Sequence, residues 1–288
     1  MTRLRILQKK VENGEGILSC SVAPNGSHDY KKLMEDVDLL VDSGLDQLLM
    51  IFSQPATMRV ASIAPAEVNA VKEGVKNGNY MDALFDSAKV VREKYPDLPI
   101  IISGIIPDVI SYGMGNFAKK MKETQIDAVD FPVYKAADDP IGFRYRIKEY
   151  GIDYITPLNA GFDMADDKTR ELVRSYVEIA DEGELFFVPG MSGTREAMKG
   201  ESFAKHIDFI RESQKEMGKD AVIVAIGGIN TPEDAHELVC NAKADGVHFS
   251  SAYLNKVASG MDKADISKWL KEVKKAMKRD VQKGEAHE

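Results

Sequence analysis

The sequence predicts an α/β protein: a single (β/α)8 TIM barrel with an extra N-terminal helix. Three observations carry this. Eight short apolar runs are spread over 288 residues, a length close to that of one complete eight-fold barrel. Amphipathic helical stretches separate the runs in strict alternation, the pattern of a parallel sheet. Most of the runs are continuously apolar, as expected for strands buried on both faces.

The elements follow in order. The opening MTRLRILQKKVENGEG reads as an amphipathic helix over about residues 2–13, placed under the barrel. It does not read as a secretion signal, because no apolar stretch follows its basic residues. The expected strands are ILSCSV (17–22), QLLMIF (47–52), PIIISG (99–104), AVDFPV (128–133), DYITP (153–157), LFFVPG (185–190), AVIVAI (221–226) and GVHFS (246–250). Helical segments between them include YKKLMEDVDLLVDSG, MDALFDSAKVVREKY, TRELVRSYVEIADEG and FAKHIDFIRESQKEMG, and ISKWLKEVKKAMKRD closes the ring. No linker or low-complexity tract divides the chain, so one domain over 1–288 is expected, with 281–288 as a flexible tail. The longest connection, 53–80, follows strand two. Long loops on the C-terminal face of such a barrel build active sites, although a plain surface excursion has the same sequence signature.

Composition narrows the function classes. A net charge of -8 argues against a nucleic-acid partner held on a broad basic surface. Cys20 and Cys240 have no metal-ligand spacing and do not suggest a disulfide scaffold, which points to a reducing cytoplasm. No apolar run reaches membrane-spanning length. No motif calls for a metal or organic cofactor.

Three late segments carry chemistry. In AIGGINTPEDA (225–235), Gly227 and Gly228 let backbone approach a ligand, and Asn230 or Thr231 caps a helix that starts at Pro232. Free N–H groups at such a turn suit an anion, and a ligand-free tight turn looks the same. ADGVHFSSAYLNKV (244–257) is a strand followed by Ser250, Ser251 and a helix start. A glycine loop in unit seven with a helix start in unit eight is the usual arrangement of a barrel phosphate site. His248 reads as a core or barrel-lining residue. PGMSGTREAMKG (189–200) is either a loop that closes over a substrate or an exposed loop with solvated charges.

Together these segments resemble the alpha subunit of tryptophan synthase, from strand one through strand eight. GMSG (190–193) is similar to that family's GVTG loop, IGGINTPED (226–234) to its GFGIS-x-PE turn and FSSAYLNKV (249–257) to its SGSAIVK segment. FSQP (52–55), ITPLNA (155–160) and PDLPIIISGIIPDVISYG (96–113) resemble its FSDP, the segment after its fifth strand and its third strand with the following loop. The resemblance implies cleavage of indole-3-glycerol phosphate to indole and glyceraldehyde 3-phosphate beside a beta subunit. It implies a phosphate held by Gly193, Gly228, Ser250 and Ser251, with Ser250 replacing a usual glycine.

The departures fall on the acid–base residues. The family's strand-two glutamate falls on Leu49 or, with another gap, on Gln47. Its catalytic aspartate falls in the region of Met58 and Arg59, and no Asp or Glu occurs between Asp46 and Glu67. An active-site tyrosine expected after strand three falls near Ile105. The catalytic candidates that remain are Asp130, Lys135 and Arg59. Asp130 sits in an apolar strand, where a carboxylate is costly unless it is paired or functional. Lys135 can pair with it, bind an anion or form an imine; an internal Asp–Lys ion pair is an equal reading. Arg59 can hold a carboxylate or second phosphate, against the default of an exposed loop arginine. Asp108, Asn159, Ser192 and Cys20 are weaker candidates. The expected protein is a phosphate-binding lyase with altered chemistry. The alternatives are a non-catalytic metabolite-binding homologue that regulates a partner enzyme, and an isomerase or epimerase. The loops SQPATMRVAS and IIPDVISYG, where the family meets its beta subunit, have diverged, so an altered partner surface is expected.

Overall fold

The computed structural model describes residues 3–24, 30–52, 68–69, 72, 80–131, 139–158, 165–180, 185–189, 201–227 and 229–279. The expected tail, 281–288, lies outside them. Strands β1 (Ile17–Val22), β2 (Gln47–Ile51), β3 (Ile100–Ser103), β4 (Ala128–Asp130), β5 (Asp153–Pro157), β6 (Leu185–Pro189), β7 (Val222–Ile226) and β8 (Gly246–Phe249) pair in sequence order into a closed barrel. All eight expected runs contain a strand. The fourth overshoots most: its ladder stops at Asp130, and Pro132 has no N–H with which to extend it.

The helices are α1 (Leu4–Glu12), α2 (Tyr30–Asp42), α3 (Tyr80–Lys94), α4 (Ile106–Tyr112), α5 (Met114–Glu123), α6 (Phe143–Glu149), α7 (Asp167–Ile179), α8 (Glu201–Met217), α9 (Pro232–His236), α10 (Ser251–Ala258) and α11 (Lys263–Ala276). A π-turn, Glu237–Asn241, continues α9.

Strand alternation divides the core into two layers. Leu18, Cys20 and Val22 of β1, with Leu48 and Met50 of β2, face outward to Val37, Leu40, Val91 and Leu270 of the helices. Ile17, Leu49, Ile51, Ile101, Ala128, Ile155, Val222 and Val224 face inward. The closing pair is tight. Ile17 pairs with Gly246, where a Cβ would lie 2.3 Å from the Ile17 carbonyl oxygen, so the last strand must begin with glycine.

Helix α1 forms the floor, as its sequence predicts. Leu4 and Leu7 are fully buried in the inner cluster, each contributing roughly 1.5–3 kcal/mol. Charges lock this end. Asp46, Asp127 and Asp245, immediately before or at the entry to β2, β4 and β8, each accept a backbone N–H from the neighbouring strand, from Leu18 (2.7 Å), Ile100 (2.9 Å) and Ile223 (2.8 Å). Each also meets two cations: Lys10 and Lys274 at Asp46, Arg3 and Arg92 at Asp127, Arg211 and Arg279 at Asp245.

Candidate functional site

The C-terminal ends of β7 and β8 build the candidate anion site. Strand β7 ends at Ile226, and Gly227 turns the chain with φ +88°, a conformation that favours glycine. Thr231 is the N-cap of α9: its hydroxyl accepts from Asp234 N, and the Asp234 carboxylate accepts from Asn230 N and Thr231 N. This capping box engages part of the turn's N–H groups. Two of them, at Asn230 and Thr231, are taken by the Asp234 carboxylate.

Strand β8 ends at Phe249, and Ser250 is the N-cap residue of α10. The Ser250 hydroxyl is buried and has no hydrogen-bond partner among the described residues. Ser251, half-buried, opens the helix. Because α10 is inserted between β8 and the ring-closing α11, it occupies the place of the short extra helix found at barrel phosphate sites. Ile226 pairs with His248, which sets the ends of β7 and β8 one strand spacing apart, about 4.8 Å. Of the four residues expected at a phosphate, the structure places Ser250 and Ser251 at this helix start; Gly193 and Gly228 lie outside the described residues.

Across the barrel, Asp130 shares the inward face of β4 with Ala128. It is buried, pairs in register with Ser103, and its Oδ2 accepts the Ser103 hydroxyl at 2.9 Å. Lys135 and Arg59 lie outside the described residues, as do Asn159 and Ser192. The wall between the two ends is apolar: Ile51, Val68 and Ile105 are buried in the inner cluster, and Ala23, Ile226 and Leu254 pack against it while partly exposed.

Deeper inside, His248 lines the barrel as expected. Its Nδ1 lies 2.8 Å from Ser19 Oγ and its Nε2 2.8 Å from Ser21 Oγ. A neutral imidazole has one donor and one acceptor, so the two hydroxyls engage both nitrogens. Burial pushes its pKa from 6.5 down to about 3. Gln47 and Leu49, the two positions considered for the glutamate, both share the inward face of β2, and neither is ionisable. The Ser19–Ser21 pair was not singled out by sequence reasoning. Its signal was present: in ILSCSV the serines alternate with Leu18, Cys20 and Val22, a period of two inside a strand buried throughout. Burial pushes the Cys20 thiol far up, and its side chain packs among the outward-facing core residues. Asp108 is buried in the first turn of α4. Among the described residues, no group of three or more His, Cys, Asp or Glu is placed to hold a metal ion, and no helix is long and apolar enough to cross a membrane.

The fold and this face define a (β/α)8 barrel with a short helix inserted after its last strand. The family model "Tryptophan synthase alpha chain" matches residues 10–283, and the chain belongs to that family. It is 26% identical to the tryptophan synthase alpha chain of Aquifex aeolicus over 257 residues, 88% of this chain and 90% of the relative. It is 24% identical to that of Flavobacterium psychrophilum over 276 residues, 93% and 98% of the two chains. Among solved structures, an Aquifex aeolicus VF5 protein superposes with a TM-score of 0.79 at 22% identity, covering 97% of this chain and all (100%) of the other. A chain of M. tuberculosis tryptophan synthase in its aminoacrylate-bound form gives 0.75 at 14% identity, covering 96% and 100%.

Proposed function

We propose that the protein is a phosphate-ester-binding lyase of the alpha-chain type, acting on a phosphorylated small molecule related to indole-3-glycerol phosphate through altered chemistry. The observation that carries the reading is the buried Ser250 hydroxyl at the start of α10, one strand spacing from the glycine turn after β7. Gly193, Gly228, Ser250 and Ser251 are its phosphate-binding residues. Asp130, held by Ser103, is the carboxylate best placed for proton transfer; Lys135 and Arg59 remain the candidates beside it. A beta-type subunit with an altered contact surface fits the family and the diverged loops after strands two and three. Co-purification with a standard beta subunit at high affinity would contradict that alteration.

Cleaving the carbon–carbon bond of indole-3-glycerol phosphate requires protonating the indole ring and removing a proton from the glycerol hydroxyl. Each general acid–base group supplies about 10²–10⁴-fold in rate. The two matching positions here hold no carboxylate, so indole release is expected to be several orders of magnitude below that of ordinary enzymes. Phosphate contacts do not compensate, because they hold ground and transition states about equally. An indole-release assay tests this. Turnover near about 10 s⁻¹, a typical enzyme value, would show that another acid has taken over. Loss of that turnover in Asp130→Asn but not in Arg59→Ala would identify it. Replacing Gly228 with phenylalanine should weaken binding of glycerol 3-phosphate, and unchanged affinity would count against the phosphate site.

The neutral Gln47 and Leu49 favour a second reading, a metabolite-binding homologue that regulates a partner enzyme. Binding without turnover across a panel of phosphorylated metabolites would select it.

A further inference from the structure

The strand ladder stops short of the anion site. Among the described residues the last pair between β7 and β8 is Ile226 with His248, so beyond it the ladder no longer sets the distance from the turn after β7 to the start of α10. One side chain spans that gap. Trp269 lies in the middle of α11 and is the chain's single tryptophan. Its indole Nε1 donates to the Asn230 carbonyl oxygen at 3.0 Å. Asn230 N donates to the Asp234 carboxylate at 3.0 Å, so residue 230 is held through both its backbone groups. The Trp269 ring also meets Phe249 edge-on, with centroids 4.9 Å apart and planes at 72°, and Phe249 directly precedes Ser250. On α10 itself, Lys256 Nζ stands 4.7 Å from the centroid of the ring, within the range of a cation–π attraction. One ring thus meets the turn after β7, the end of β8 and the helix that follows it.

We propose that Trp269 is a positioning residue for the anion site: it fixes the separation between the turn after β7 and the start of α10, so that groups from both meet one phosphate. This rests on the phosphate-ester reading above. An anion shared by two loops is held best when their donors are in place before it arrives, because ordering them on binding costs affinity. Helix α11 is a firm anchor for that task. Its Ile266, Leu270 and Val273 are buried in the outer core layer, and Lys274 donates to the Gly16 carbonyl at the floor at 2.7 Å. The indole N–H is the only polar group of the Trp269 side chain, and Asn230 already engages it. Trp269 therefore holds the two segments and leaves the anion to them.

Calorimetric titration with inorganic phosphate and with glycerol 3-phosphate tests this. Trp269→Phe keeps an aromatic ring beside Phe249 and Lys256 and removes the N–H donor. It should weaken binding of both probes about three- to tenfold, the range for one lost hydrogen bond. Trp269→Leu, which removes the ring contacts as well, should weaken it further. Val273→Ala, one turn further along α11 and fully buried, should lower the melting temperature and leave both affinities unchanged, which separates positioning from a general loosening of α11. In the parent, the fluorescence of Trp269 should change over the same phosphate concentrations as the heat. Unchanged affinity in both Trp269 variants, equal weakening in Val273→Ala, or heat without a change in fluorescence would overturn the proposal and leave the phosphate reading standing. No binding of either probe by the parent would overturn both.

Discussion

The two ends of the barrel use their buried polar groups differently. At the N-terminal end, Asp46, Asp127 and Asp245 each accept a strand N–H and face two cations. At the C-terminal end, the Ser250 hydroxyl is buried with no partner among the described residues. Leaving a buried group unpaired costs roughly 1–3 kcal/mol. The carboxylates of the N-terminal end are thus spent on holding the fold, with Arg92 Nε beside them unpaired among the described residues, while the C-terminal end keeps a hydroxyl idle, as a surface that binds something would. Barrels divide their labour along the same axis, with stability at the bottom and chemistry at the top.

The largest effect should come from breaking the bottom. Asp127 and Arg92 form a 2.7 Å pair with side chains 8% and 7% exposed. Asp127→Ala would strand Arg92, Arg3 and the Ile100 N–H, and is expected to cost about 3–5 kcal/mol in urea denaturation. Its effect on phosphate affinity, measured where the variant is still folded, should be small. A large loss of affinity with little loss of stability would reverse the comparison.

Next comes the response to acid. Unfolded, the His248 imidazole titrates near 6.5; folded, it stays neutral down to about 3. Between those values the unfolded chain binds a proton that the folded chain does not, so stability falls as pH drops through that window. The slope from this one residue reaches at most about 1.4 kcal/mol per pH unit. Denaturation midpoints measured from pH 7 to pH 4 in the parent and in His248→Gln should show a shallower acid limb in the variant. Parallel curves would mean that other groups dominate.

A carboxylate restored to the interior sharpens the contrast further. Gln47→Glu should raise indole release by about 10²-fold over the parent's residual rate, the lower end for one general acid–base group. Leu49→Glu is the control that separates the two inward positions. If only Leu49→Glu gains activity, the alignment of the glutamate with position 49 is right and Gln47 lies too deep for proton transfer.

The smallest effect belongs to the turn after β7. Thr231→Ala removes the hydroxyl that accepts from Asp234 N and should lower stability by about 1 kcal/mol. Thermal melting reads the loss. If the variant instead binds phosphate more tightly, freed N–H groups at residues 230 and 231 have joined the anion site.

Much of this architecture was legible in the chain. The apolar runs set eight strands, because parallel strands buried on both faces leave little room for polar residues. The helix start at Ser250 and a cap at Asn230 or Thr231 followed from local chemistry, whereas the inward direction of Asp130 comes from the register of β4 with β3. The capping box was half legible: Thr231 and Pro232 announce a helix start, but the reach of the Asp234 carboxylate back to two N–H groups depends on backbone geometry. Around Arg59, Lys135 and Gly193 the candidates rest on sequence and resemblance alone.

What the sequence determined by itself was periodic and local: strand number, strand order, the amphipathic floor helix and the loss of carboxylates after strand two. Tertiary structure decided which distant polar residues meet. Closure of β8 onto β1 brings His248 to Ser19, 229 positions away, and the register of β1 with β2 pairs Gln47 with Ser19. The charges that lock the floor join Asp46 to Lys274, 228 positions apart. Alternation along a strand says which face a side chain takes, but the level it occupies across neighbouring strands depends on the stagger at which the sheet closes. That stagger is a property of the whole ring, and no segment carries it alone.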